Sequence, residues 1–212
     1  MTMVMNVEGG DGSPVAAMDL VGGDISMELV NTASGRTGEQ LKDKLRTYDD
    51  LVGWAERVGL LGPRRSARLR QVATENPTKA DETIARARSL REAIYRVFTT
   101  EVPDVKDLEE LGRTAAEAAV ERRIERSGTD YVMVWPESDA LQQLLWPVAI
   151  SATELLLSAD RSRVKECAGE GCSWLFVDLS RNRSRRWCDM RECGNRAKAR
   201  RFQARQRGRQ NG

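Results

Sequence analysis

The sequence predicts a mainly α-helical body carrying one small β-hairpin, an α+β arrangement, followed by a compact module of a second hairpin and a helix. Three observations lead there. Apolar residues recur at three- and four-residue spacing through most of residues 21–160. One stretch around Gly128 alternates instead. All 4 cysteines of the 212-residue chain fall in its last quarter.

Taken in order, residues 1–20 are rich in Gly, Met and Ala and are expected to be disordered. The body, residues 21–160, opens on a short apolar stretch of Ile25, Met27, Leu29 and Val30 that runs into Asn31-Thr32-Ala33. Leu51, Trp54, Ala55 and Val58 mark a helix that Gly59 and Gly62-Pro63 end. Residues 65–74 form a basic helix. After Pro77 a long one covers residues 80–100, with Ile84, Ala87, Arg91, Ile94 and Phe98 along one side. Pro103 breaks it, and a short helix is expected over residues 105–115. Residues 121–135 alternate through Tyr131, Met133 and Trp135, which predicts a hairpin turning near Gly128. Ser138 caps the most apolar helix, marked by Leu141, Leu144, Leu145, Val148, Ala152, Leu155 and Leu156, with Pro147 kinking it or starting a new segment. Residues 161–163 are read as a hinge into the last module, residues 161–212.

Charge divides the chain. The last module holds 15 Lys/Arg against 5 Asp/Glu, whereas the remainder holds 19 against 27. An acidic body with a basic tail is expected where only the tail meets a polyanion. The chain has no histidine, which excludes Ser-His-Asp and Cys-His catalysis and any histidine metal site. The first residues lack the basic region and apolar run of a signal peptide, and no stretch approaches the roughly 18 apolar residues of a membrane span. A cytoplasmic protein without membrane partners is expected, in a compartment where thiols stay reduced.

The cysteines are spaced Cys167-x4-Cys172 and Cys188-x4-Cys193. Two pairs bring four thiolates around one tetrahedral ion, and sulfur ligands at that geometry select zinc. Two disulfides are the competing reading, and the reducing compartment disfavours it. Four sulfurs fill the tetrahedron and leave no place for a reactive water, so a single structural Zn2+ is expected and no enzyme. Residues 164–167 and 174–178 read as strands of a hairpin, and the final pair leads into a helix reaching about Gln206. That layout is treble-clef-like. Trp174, Phe176 and Trp187 make a core too small to fold alone, and zinc adds about 10–16 kcal/mol of apparent binding energy. On this reading Cys172→Ser unfolds the module and leaves the body folded.

The candidate nucleic-acid contacts are Arg181, Asn182, Arg183, Arg185 and Arg186 in the loop between the strands and the second cysteine pair, then Asn195 and the helix residues Arg196, Lys198, Arg200, Arg201, Arg205 and Arg207. Arg196, Arg200 and Arg207 fall along one side of that helix, and Lys198, Arg201 and Arg205 along another, which suits a helix between two phosphate tracks. Solubility alone uses mixed signs, and residues 197–211 contain no acid. Asn182 and Asn195 have the amide pair that reads adenine, but a cap or turn role is the plainer reading of both. In the body, Asn31, Thr32 and Arg36 are the candidate pocket for a small-molecule effector of unknown identity; a turn with a cap and a salt bridge accounts for the same residues.

Leu175-Phe176-Val177-Asp178-Leu179-Ser180-Arg181-Asn182, Arg185-Arg186-Trp187-Cys188-Asp189-Met190 and Cys193-Gly194-Asn195-Arg196 closely resemble the CGNR zinc finger, whose naming string is intact. The resemblance covers about the last fifty residues. The body is similar to that finger's usual N-terminal partner, the ABATE domain of stress-induced transcription regulators, at Gly22-Gly23, Leu29-Val30-Asn31-Thr32, Arg36 and Trp54 through Gly59-Leu60-Leu61. It departs from the domain's pattern at Asp24-Ile25-Ser26-Met27-Glu28, where an aromatic-rich stretch is usual. The resemblance implies a bacterial transcription regulator with a four-cysteine zinc site on double-stranded DNA. The body would then dimerise or sense the effector. An RNA- or ribosome-associated protein and a protein-binding zinc module are the alternatives.

Overall fold

The computed structural model describes residues 15–38 and 40–210 of the chain. The body is built from helices α1 (Ile25–Val30), α2 (Tyr48–Arg57), α3 (Pro63–Glu75), α4 (Pro77–Thr99), α5 (Val105–Glu121) and α6 (Trp146–Leu157). Each starts where the sequence supplies a start signal. Asp24 accepts from the Ser26 N–H, Thr47 and Asp50 form a reciprocal capping box, and Asp104 accepts from the Lys106 N–H. Pro63, Pro77 and Pro147 stand in the first turns of α3, α4 and α6, where no amide is needed. Pro147 therefore starts a helix; a tighter 3-10 turn, Leu141–Leu145, precedes it.

The longest helix, α4, is the centre of the body. It buries Ala80, Ile84, Ala87, Leu90, Arg91, Ile94 and Val97 on one stripe and packs against α1, α2, α3, α5 and α6. Arg91 is 1% exposed in that stripe. Its guanidinium is bonded at 2.7 and 2.8 Å by both carboxylate oxygens of Asp43, at 3.2 Å by the Thr32 hydroxyl and at 2.8 Å by Glu92. A buried arginine is tolerated because these acceptors replace water on its donors. Asp43 lies in the short pair β1 (Ala33–Ser34) and β2 (Lys42–Asp43).

Three boundaries differ from expectation. Any disorder in residues 1–14 lies outside the described residues, but Val15 and Met18 are each only 1% exposed and join the main core, so the body begins before residue 21. Helix α5 runs on to Glu121, because residues 116–120 continue its period with Ala118 buried. Residues 161–163 are not a free hinge: Ala159–Arg163 form a 3-10 turn capped by Ser158 that leads directly into the strand beginning at Val164.

The expected hairpin is present as β3 (Arg123–Ser127) and β4 (Asp130–Val134), paired from Arg123↔Val134 to Ser127↔Asp130 around Gly128, whose φ of 64° suits a residue without a Cβ. The last module consists of β5 (Val164–Glu166), antiparallel to β6 (Leu175–Val177), a π-helical turn Met190–Gly194 and helix α7 (Asn195–Gln210). No helix among the described residues is long and apolar enough to cross a membrane.

Candidate metal centre and basic surface

Cys167 follows β5, Cys172 ends the turn before β6, Cys188 ends the basic loop, and Cys193 sits in the turn that opens α7. The four sulfurs lie within 4.8 Å of one another, with Cys188 Sγ 3.6 Å from both Cys172 Sγ and Cys193 Sγ. Zinc–sulfur bonds of about 2.3 Å in a tetrahedron require sulfurs roughly 3.8 Å apart, so the donor set fits one zinc ion. The turn is shaped for it. A Cβ on Gly169 would stand 2.9 Å from Cys193 Sγ and 3.3 Å from Cys167 Sγ, and Gly171 has a φ of 68°. Backbone N–H groups of Gly169 and Cys188 donate to Cys167 Sγ at 3.3 and 3.2 Å.

Electrostatics make the same demand. Hydrogen bonds from the Cys172 and Cys188 thiols, ahead of the burial that opposes them, pull the Cys167 thiol far below its ordinary value. Their own thiols are pushed up by the same sharing. Four buried sulfurs cannot all ionise beside one another without a cation at their centre. When bound, zinc holds four chain segments together; that is its chemistry here. Arg196 donates to Cys193 Sγ at 3.0 Å and offsets part of the thiolate charge.

Phe176 is fully buried against the cysteines, with Trp174 and Trp187 half-buried beside it. The two other β6 residues, Leu175 and Val177, point the opposite way and belong to the core of the body. Further contacts tie module to body. Asn31 bonds both polar groups of the Leu175 backbone, the Val177 N–H reaches Gly22 O at 2.8 Å, the Gly35 N–H reaches Cys172 O at 3.3 Å, and the Tyr95 hydroxyl donates to Glu166 at 2.7 Å.

This use of Asn31 corrects the expected effector pocket. Asn31 and Thr32 are 0% exposed, and the Thr32 hydroxyl donates to Leu29 O at 2.6 Å. Arg36 pairs with Glu92 at 2.8 Å, donates to Val30 O and Ala33 O, and lies 4.4 Å from the centre of the Tyr95 ring. Every side-chain polar group of the trio is bonded inside the protein, so they form a latch and not a cavity.

The basic candidates separate into two groups. Arg181, Asn182, Arg183 and Arg186 are exposed on the loop, and Asn195, Arg196, Lys198, Arg200, Arg201, Arg205 and Arg207 are exposed on α7. Asn195 donates to Arg191 O at 2.9 Å, in keeping with a local backbone role, and Arg200 pairs with Glu170 at 2.8 Å. Arg185 differs: half-buried, it stacks 4.1 Å over Phe176 and donates to Val21 O, Trp187 O and Cys188 O. Its donors face inward, which removes it from the outward set.

Two residues outside the candidates shape the loop. Asp178, 0% exposed, accepts from the Ser180 N–H and hydroxyl, the Arg185 N–H and Lys165 Nζ at 2.6–3.0 Å, and Lys165 Nζ also donates to Arg183 O at 2.5 Å. Lys165, then Ser180, hold the Asp178 carboxyl well below the usual range. An aspartate followed two residues later by serine is an Asx-turn signal, one that the expectations from sequence leave out.

Fold and site define a helical body joined to a four-cysteine zinc finger of treble-clef-like layout. The ABATE family model, described as a putative stress-induced transcription regulator, matches residues 23–159, and the CGNR zinc finger model matches residues 163–206. The chain belongs to the ABATE family and carries a CGNR zinc finger. No curated protein matches it.

Proposed function

We propose that the chain is a DNA-binding transcription regulator whose zinc finger holds an exposed cationic helix, and whose body governs that finger through their shared core. The observation that carries this reading is α7. No acidic residue follows Glu192 in the sequence, and Lys198, Arg201, Arg205 and Arg207 are all exposed along the helix. The helix packs mainly against the turn that precedes it, so its length is open to a partner. A helix of this diameter enters the major groove, and each phosphate it neutralises releases counterions. The name of the matched family supports a regulatory role. The zinc is structural in this reading, and no step of catalysis is assigned to the body.

The test is a titration of the zinc-loaded protein on duplex DNA across salt concentrations. The expected slope of log affinity against log salt is roughly −0.9 per phosphate contacted. A slope near zero overturns the phosphate contacts. Competition by structured RNA that exceeds competition by duplex DNA replaces DNA with RNA as the partner.

A further inference from the structure

The β3–β4 hairpin stands away from the core. Every residue of both strands is exposed except Val134, which is half-buried, and the hairpin forms a two-stranded sheet of its own. Two strands alone are marginal in water, and a free edge is an open template for another strand. One face carries Ile124 at 70%, Tyr131 at 74% and Met133 at 47% exposure.

The two edges differ in charge. Strand β3 reads Arg-Ile-Glu-Arg-Ser, the charged kind of edge that discourages pairing, whereas β4 reads Asp-Tyr-Val-Met-Val and carries its one charge, Asp130, at the turn end, leaving Tyr131 to Val134 uncharged. The two-residue turn at Gly128 and Thr129 makes Ser127 and Asp130 a hydrogen-bonded pair, and antiparallel alternation then aims the N–H and C=O of Tyr131 and Met133 outward from β4.

We infer that the outer edge of β4 pairs with β4 of a second copy of this chain, antiparallel about a twofold axis at Val132. In that register Tyr131 of each copy lies opposite Met133 of the other and exchanges both backbone hydrogen bonds, while Val132 meets its own counterpart. Ile124, Met133 and the facing Tyr131 fall on one side of a four-stranded sheet and make a continuous apolar row. The same operation on the β3 edge would set Glu125 directly against Glu125, which like-charge repulsion disfavours. Charge therefore selects the edge, and the twofold register, which sets Tyr131 against Met133 on one face, fits a second copy as its occupant. This inference stands apart from the DNA reading, since it involves neither α7 nor the finger.

Sedimentation of the full-length, zinc-loaded protein tests it. The wild type is expected to sediment as a dimer, and Val132→Lys, at an exposed position, to weaken association by roughly tenfold or more by placing two ammonium groups on the axis. Hydrogen exchange on the wild type gives a readout without substitution: the Tyr131 and Met133 amides gain protection as protein concentration rises, and those of Ile124 and Arg126 do not. A monomer at every concentration, unaltered association of Val132→Lys, or concentration-dependent protection of the Ile124 and Arg126 amides instead would each overturn the assignment.

Discussion

Asn31 of the body grips the backbone of Leu175 in the zinc finger at both polar groups, its Nδ2 donating to Leu175 O at 2.9 Å and its Oδ1 accepting from Leu175 N at 2.8 Å. The bonds are buried and span 144 positions of sequence. They let a side chain extend the β5–β6 ladder into the body, where Leu175 and Val177 supply core that helices alone leave unfilled. The finger is thus bonded to the body and packed into it.

Asn31→Ala is expected to destabilise the whole chain. It strands the buried N–H and C=O of Leu175, each worth about 1–3 kcal/mol, so a total loss of about 2–6 kcal/mol is expected in urea denaturation followed by tryptophan fluorescence. Zinc should also be lost to a competing chelator at lower chelator concentration. A variant as stable as the wild type would show that the two bonds do not hold the interface.

Cys172→Ser distinguishes a packed finger from a tethered one. Reading the cysteines as a separate small module implies a body that survives loss of the ligand. With Leu175 and Val177 in the body core, the variant should instead lose zinc and lower the melting temperature of the entire chain in one calorimetric transition. An unchanged body transition, beside a lost module transition, would support independence.

Much of the fold was legible because its signals are local. The breaks at Gly62-Pro63 and Pro77, the alternation around Gly128 and the cysteine spacing each act within a few residues. The roles of Asn31 and Arg185 were not legible, since what they bind lies far off in sequence. Asn31 sits beside Thr32 and near Arg36, and a polar trio reads as a pocket until Leu175, Arg91 and Glu92 are brought to it. Arg185 stands among exposed arginines with nothing in its neighbourhood to set it apart; only the fold turns it onto Phe176 and Val21.

Acid should weaken the body through Asp43 and Glu92. Burial alone would raise both carboxyls, but Arg91 outweighs it at Asp43, and Arg36 with Arg91 outweighs it at Glu92, so both fall below their ordinary values. Their contribution is complete above the unfolded values of about 3.9 and 4.3 and is lost as pH falls through the lower folded values. The destabilisation caused by Asp43→Asn, measured by urea denaturation at several pH values, should therefore be large at pH 7 and shrink below about pH 4. A pH-independent deficit would mean that its charge is not what stabilises the site.

Glu28 should show the opposite sign. Burial raises its carboxyl, against the N–H groups of Gly22, Gly23 and Val21 and the charge of Arg185, and its Oε2 has no partner among the described residues. A raised folded value means stability that is present at low pH and lost as pH rises through that value. Glu28→Gln keeps an acceptor for the Gly22 N–H and removes the buried charge. It should gain stability at pH 7 and match the wild type near pH 3, and a gain that persists in acid would assign the effect to packing.

The arginines separate into scaffold and contact, and paired variants can show it. Arg185→Ala removes three backbone bonds and the stack on Phe176, so a stability loss of about 2–4 kcal/mol is expected, with weaker DNA binding only as a consequence of lost fold. Arg201 and Arg205 are exposed on α7, and changing both to Ala should leave stability within about 0.5 kcal/mol of the wild type. The double variant should instead reduce the salt slope of DNA affinity by roughly 1.8, the share of two phosphate contacts. Stability and salt slope thus move in different variants if Arg185 braces the loop and α7 meets the phosphates. An unchanged slope in the double variant would take those two positions out of the interface, whatever the behaviour of Arg185.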